Sequence, residues 1–193
     1  MLCLPGSPAL SQFRLEKLKR QLGEAGYRID GLGSRYIHLV DSAAPVDEKA
    51  REILDNLLTY GPAMPPESVD GEQYYVVPRP GTISPWASKA TDIAHNCGLA
   101  QVRRIERGIV YSIDGGGELP LELLHDRMIE AVFTSLEQCA ALFASHQPRP
   151  LVEVDTTRHG RAALEQANSD LGLALSDDEI EYLAAAYAQL GRN

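Results

Sequence analysis

Residues 79–99 read RPGTISPWASKATDIAHNCGL. Pro80-Gly81 is turn chemistry. Ser84 is suited to cap a helix and Pro85 to open it, because proline lacks the amide donor that a first turn leaves orphaned. The spacing predicts a helix from Pro85 to about Cys97, with Gly98 as its left-handed stop. Trp86, Ala90, Ile93, Ala94 and Cys97 then form the inward face, and Ser88, Lys89, Asp92, His95 and Asn96 point outward. The stretch has an echo. PGSPALS at 5–11 parallels PGTISPWAS at 80–88, with two extra residues in the second copy.

Working outward from this pair, the same order of elements occurs twice. In the first half, Leu2–Leu4 reads as a short strand. Residues 8–25 read as a helix with Leu10, Phe13, Leu15, Leu18 and Leu22 toward one side. SRYIHLVD at 34–41 is a short strand, and residues 45–61 are a helix with Asp47 and Glu48 in its first turn and Gly61 beyond its end. In the second half, EQYYVVP at 72–78 is a strand closed by Pro78. The strand VRRIERGIVYSID at 102–114 puts Ile105, Ile109, Tyr111 and Ile113 on one face. DGGGELP at 114–120 is a turn. Residues 121–143 read as a long helix with Leu121, Leu124, Met128, Val132, Leu136, Cys139 and Phe143 along a buried stripe, and PLVEV at 150–154 as a last strand. The expected class is α+β, with two ferredoxin-like, split βαβ-type halves and mainly antiparallel sheets. A helix pair at 158–172 and 176–191 follows. Its second member carries capping-box spacing at Ser176 and Glu179, a face of Ile180, Leu183, Ala184, Tyr187 and Leu190, and Gly191 as a stop. This pair reads as the opening of another module.

The chain has 193 residues, 44% hydrophobic and 23% charged, which suits a globular protein. Its 18 basic and 27 acidic side chains give a net charge of −9, the wrong sign for a nucleic-acid binder. No apolar run approaches the ~20 residues of a membrane span. The three cysteines, Cys3, Cys97 and Cys139, have no ligand spacing and fit free thiols in the cytoplasm.

The opening stretch also bears groups that resemble chemistry. Cys97 with His95 as base is unworkable, because residues two apart on a helix diverge by about 200°; Cys97 is expected to be a small buried thiol. Ser88, Asp92 and His95 share a stripe, but one convex surface cannot surround a substrate carbonyl, and no oxyanion donors accompany them. An anion cradle at the N-terminus of the Pro85 helix is open to consideration, with Arg79 and Lys89 adding charge and Thr82 and Ser84 hydroxyls. A plainly capped helix is the competing reading. Asp126 and Arg127 read as a solvated face. DGGGE at 114–118 lacks the spacing of a dinucleotide fingerprint. Arg103, Arg104 and Arg107, near Glu106, read as ion pairs or an interface.

RPGTISPWASKATDIAHNCGL, then VRRIERGIVYSID and LHDRMIEAVF, together resemble the N-terminal region of the large, single-chain phosphoribosylformylglycinamidine synthases. GSPALSQFRLEKL, YGPA at 60–63, HQPRPLVEVD and ALSDDEIEYLAAAYAQLGRN extend the resemblance over essentially the whole chain. It implies an N-terminal domain over residues 1–155, similar to a dimer of the small separate subunit used elsewhere, and the start of a helical linker over 156–193. Such enzymes use ATP and glutamine to convert formylglycinamide ribonucleotide to formylglycinamidine ribonucleotide in purine synthesis. Their glutaminase nucleophile, synthetase histidine, ATP and Mg²⁺ ligands lie beyond the region matched here. No catalytic residue, metal or cofactor is therefore expected in this chain. Its expected partners are the synthetase and glutaminase domains, with neither nucleic acid nor membrane. In such an enzyme the hydroxyl-rich loop is the expected contact with the substrate region or an interface, with Arg79, Thr82, Ser84 and Lys89 shaping the substrate mouth or channel and making no bonds. Alternatives are a free-standing small-subunit-like module that assembles with separate partners, and a self-contained anion-binding enzyme built on the Pro85 helix.

Overall fold

The computed structural model describes residues 1–61, 69–145 and 148–192. They fall into two compact units, Met1–Ser145 and His146–Asn193.

The first unit is a five-stranded antiparallel sheet with helices against it. Its strands are β1 (Leu2–Pro8), β2 (Arg28–Ser42), β3 (Glu72–Pro78), β4 (Val102–Gly116) and β5 (Glu130–Phe133), in the order β1-β2-β4-β3-β5. Its helices are α1 (Gln12–Glu24), α2 (Glu48–Leu58) and α3 (Pro85–Asn96). The expected α+β class, antiparallel pairing and C-terminal helix pair are all present. Four of the strands are arranged symmetrically about the β2·β4 pair, with β1 outside β2 and β3 outside β4, and β5 adds to the β3 side alone. Each outer strand runs through a helix to its inner neighbour, which is the repeat that the two Pro-Gly segments announce.

β2 and β4 are 15 residues each and pair along most of their length, including Leu32 with Ile113, Tyr36 with Ile109, His38 with Arg107 and Val40 with Ile105. Only residues 34–41 of β2 read as strand in the sequence, because Asp30, Gly31 and Gly33 are poor strand formers. Pairing with β4 overrides that local preference. DGGGE likewise begins inside β4, where Gly115 and Gly116 pair with Ile29 and Arg28.

Side chains alternate across a strand, so one sheet face carries Leu32, Tyr36, His38 and Val40 from β2 with Ile105, Arg107, Tyr111 and Ile113 from β4. Two cores sit on this face. At one end α2 and α3 cover Leu4, Val40, Val102 and Ile105. At the other, α1 packs Leu15, Leu18 and Leu22 on Leu32, Val76, Tyr111 and Ile113. Burying one such leucine contributes about 1.5–3 kcal/mol. The opposite face packs Ile37, Leu39, Val77 and Val110 against Cys139 and Leu142.

Further expectations fail. Residues 121–143 are not one helix. They form a 3-10 turn at Leu121–Leu123, the strand β5 and a second 3-10 segment at Glu137–Phe143. Local bonds break the helix: the Asp126 carboxylate accepts from the Met128 amide at 2.8 Å, and the Glu130 carboxylate from the Asp126 amide at 2.8 Å. Ala131–Phe133 then pair with the open edge of β3, from Tyr75 to Val77. The apolar stripe is broken too, since Met128 is 77% exposed while Leu124 and Cys139 are buried. PLVEV is not a strand; Leu151 and Val152 are exposed and no strand lies beside them among the described residues. Phe13 points outward from α1 at 77% exposure. Finally, α3 is turned relative to expectation. Ala87 and Ala94 are its fully buried residues, with Trp86 and Ala90 partly buried, while Ile93 and Cys97 are exposed. This small-residue face brings α3 close enough to β4 for the Thr91 hydroxyl to accept from the Ile105 amide at 3.1 Å.

The second unit is a helical hairpin of α4 (Thr156–Leu171) and α5 (Asp177–Leu190). The capping box of Ser176 and Glu179 forms, and Gly191 ends α5 in the left-handed region. Asn168 closes the connection, donating to the Leu175 carbonyl at 3.0 Å and accepting from its amide at 2.8 Å. Leu164, Ala167 and Ile180 are buried in the hairpin. Leu190, expected on the packed face of α5, is 65% exposed.

Candidate functional site

The segment between β3 and α3 is tied down from both ends. The Arg79 amide donates to the Ile129 carbonyl at 3.0 Å, and its guanidinium reaches the Met128 carbonyl at 3.4 Å. Thr82 folds back on Arg79, whose carbonyl accepts from the Thr82 amide at 3.1 Å and from its hydroxyl at 2.7 Å. Ser84 caps α3 as the sequence predicts, accepting from the Ala87 amide at 3.0 Å.

Glu106 holds the other side of that cap. Its carboxylate is wholly buried and accepts from the Ser84 amide at 3.1 Å and the Ser84 hydroxyl at 2.7 Å. The Arg104 guanidinium pairs with the same carboxylate and donates to the Thr82 and Leu142 carbonyls. The anion at the positive end of α3 is thus a side chain of this protein. The cradle and the capped helix converge on one arrangement: an internal carboxylate serves as the bound anion, and the hydroxyl and amide of Ser84 are spent on it.

What the segment leaves outside is different in kind. Arg79 and Lys89 are exposed. Ile83, Met128 and Ile129 are 65%, 77% and 64% exposed, all on the two turns that Arg79 ties together.

The remaining candidates do not form a reaction centre. Ser88, Asp92 and His95 lie on the exposed side of α3. His95 hydrogen-bonds through Nε2 to the Val102 carbonyl at 2.6 Å, fastening the C-terminal turn of α3 to β4. Cys97, expected to be buried, is exposed at the end of α3. The buried thiol is Cys139, whose pKa burial pushes up to about 11. Such a thiol is protonated and inert at neutral pH. Asp126 and Arg127 are exposed, as expected of a solvated face. Arg103 pairs with Asp41 at 2.8 Å and Arg104 with Glu106, as the ion-pair reading expects. A concavity of about 510 Å³ at the β1 edge is lined by Met1, Leu2, Val40, Pro45 and Arg51 among others, and by none of Arg79, Thr82, Ser84 and Lys89. Among the described residues no group of His, Cys, Asp and Glu is placed to hold a metal ion, and no helix is long and apolar enough to cross a membrane.

A second cluster lies between the two cores, and the sequence reading passes over it. His38 of β2 is wholly buried. Its Nε2 shares a 2.7 Å hydrogen bond with the Tyr60 hydroxyl, and its ring stacks on Trp86 with centroids 5.7 Å apart. Nδ1 has no hydrogen-bond partner among the described residues. Burial first, and then the neighbouring Arg107 charge, lower the His38 pKa to about 4, against a weaker opposing effect of the Leu4 backbone. Arg107, paired with His38 across the sheet, lies over the Tyr36 ring at 4.5 Å and the Trp86 ring at 5.1 Å. The usable sequence signal was Tyr36 and His38, two apart and so on one face of a strand; the register that brings Arg107 opposite is not legible locally.

The clamped turn before α3 and the strip at His38 both fall within the part of the chain that matches a known family, which also takes in β3, β4, β5 and the second half of β2. The model described as Formylglycinamide ribonucleotide amidotransferase N-terminal matches residues 35–143, from the middle of β2 to the end of the last 3-10 segment. That is more than half of the 193 residues, and the chain belongs to the formylglycinamide ribonucleotide amidotransferase N-terminal family.

Proposed function

We propose that this chain is the N-terminal accessory domain of an ATP- and glutamine-dependent ligase that converts formylglycinamide ribonucleotide to formylglycinamidine ribonucleotide. It works in the cytoplasm beside synthetase and glutaminase domains, and helps shape the mouth of the synthetase site or the ammonia route. Ammonia released at one centre and used at another must be kept from water, and a rigid wall over that route supplies both proximity and exclusion. ATP and Mg²⁺ belong to the synthetase in this reading.

One observation carries the assignment of the contact surface. A wholly buried Glu106 and its partner Arg104 fix a turn whose outward side chains, Arg79, Ile83 and Lys89, make little use of that rigidity within the unit. Rigid backbone beneath exposed charged and apolar groups suits a surface that meets something else. Thr82 and Ser84 act as holders, and Arg79 and Lys89 face outward. None of them makes or breaks a bond.

The test is Arg79→Ala and Ser84→Ala in the full-length enzyme, measuring the glutamine-dependent rate and the product formed per glutamine hydrolysed. Both variants are expected to lower the coupling ratio, while the rate with external ammonia falls less. Two variants with unchanged glutamine-dependent rate and coupling would remove the loop from the site.

A further inference from the structure

We infer that Arg107 is a binding site for a small oxyanion, a phosphate or carboxylate group held in the plane of its guanidinium. The site is built by several elements of the first unit. Arg107 comes from β4, Tyr36 and His38 from β2, Tyr60 from just beyond α2, and Trp86 from the first turn of α3. The Tyr36 and Trp86 rings engage the guanidinium, and Tyr60 accepts from Nη1 at 3.5 Å. The in-plane N–H donors of a guanidinium are the part that grips oxyanions two at a time. Among the described residues Tyr60 is the single hydrogen-bond partner those donors have.

The charge is also unanswered. Half-buried Arg107 has no carboxylate within 4 Å among the described residues, a state it shares with Arg35 of β2 and with the exposed Arg14, Arg20, Arg79, Arg127, Arg149 and Arg192; what sets Arg107 apart is the aromatic seat that fixes it. Arg104, of comparable burial, is matched by Glu106. A partly desolvated cation held in place with no counter-charge among the described residues is arranged to take an external one. His38 stays neutral at physiological pH and adds no second charge, so the attraction is local to Arg107. This site lies apart from the exposed groups at Arg79–Lys89 and does not depend on the role proposed for them.

Trp86 is the sole tryptophan, so its fluorescence and its indole N–H signal report on this strip alone. The 193-residue chain is titrated with inorganic phosphate and, separately, with succinate, each against sodium chloride at matched ionic strength. The Trp86 indole and Arg107 Nε–H resonances are followed. A saturable shift at both is expected, with a dissociation constant on the order of 1 mM, the range one charge-assisted fork supports. Stronger binding of phosphate identifies a phosphate ester as the ligand class, and stronger binding of succinate a carboxylate. Arg107→Lys keeps the charge and loses the fork, and its binding should weaken about tenfold. The proposal is overturned if neither anion moves the two resonances beyond the chloride control, a result that needs no variant. It is equally overturned if folded Arg107→Lys binds as the wild type does.

Discussion

Arg104 and Arg107 lie on opposite faces of one strand, and the protein deals with their charges in opposite ways. Arg104 meets a buried carboxylate, and its remaining donors go to the Thr82 and Leu142 carbonyls. Arg107 meets aromatic rings, one phenol and a neutral histidine. The first arrangement is closed: every group in it has a partner, and the turn before α3 depends on it. The second is open at the donor edge. The contrast separates a charge that the fold requires from a charge that the fold only positions, and each can be broken on its own.

The largest effect is expected where the closed arrangement is cut. Glu106→Ala leaves Arg104 without its carboxylate and Ser84 without two acceptors. Removing one partner of a buried pair costs about 3–5 kcal/mol. Urea unfolding should show that loss, and amide exchange at Ser84–Ala87 should quicken more than exchange in α1.

The open arrangement responds to pH. The His38 pKa is lowered from 6.5 to about 4 in the folded chain, chiefly by burial. Between those values the unfolded chain binds a proton that the folded chain does not. Stability is therefore full above pH 6.5 and falls as pH drops toward 4. The loss over that window should be about 2–3 kcal/mol. Unfolding curves at several pH values check it, with His38→Phe expected to flatten the slope in this window. Arg107→Gln removes the second cause of the shift, so it should raise the His38 pKa, read from the ring-proton shifts.

Gly6 tests how tightly the strip is assembled. A Cβ there would stand 2.8 Å from His38 Cε1 and 2.9 Å from Tyr36 Cβ. Neither neighbour can withdraw, since His38 is stacked on Trp86 and Tyr36 lies under Arg107. Gly6→Ala should cost about 1–3 kcal/mol by overpacking, with a changed Trp86 emission as the signature that the strip has moved.

The same contrast explains what was legible in the sequence. Ser84 with Pro85, the box at Ser176 and Glu179, and the strand EQYYVVP depend on neighbours within a few residues, and they stand where local chemistry puts them. The segment 121–143 misleads because its apolar spacing suits a helix, while the open edge of β3 and the carboxylate bonds at Asp126 and Glu130 lie outside a periodicity argument. Cys97 misleads by a rotation of α3: the alanines, not the larger side chains, face the sheet. Of the candidate site, the turn chemistry at 79–85 was readable, but its dependence on Glu106 was not, because that contact spans 22 residues. The His38 strip needs the register of β2 on β4, which no local pattern encodes.

The smallest effect distinguishes the two arginines most sharply. Arg107→Gln removes contacts to two rings and a long hydrogen bond, worth about 1 kcal/mol together at a half-buried site. It strands no carboxylate among the described residues, because none is paired with it. Arg104→Gln removes a cation from a wholly buried Glu106 and should cost about 3 kcal/mol or more. Urea midpoints of the two variants, made in the same background, measure the difference directly. A near-neutral Arg107→Gln would mean that folding does not account for a cation held between β2, α3 and the segment after α2. Its place then follows from what it binds, whereas equal losses at the two positions would make Arg107 a second closed contact and erase the contrast.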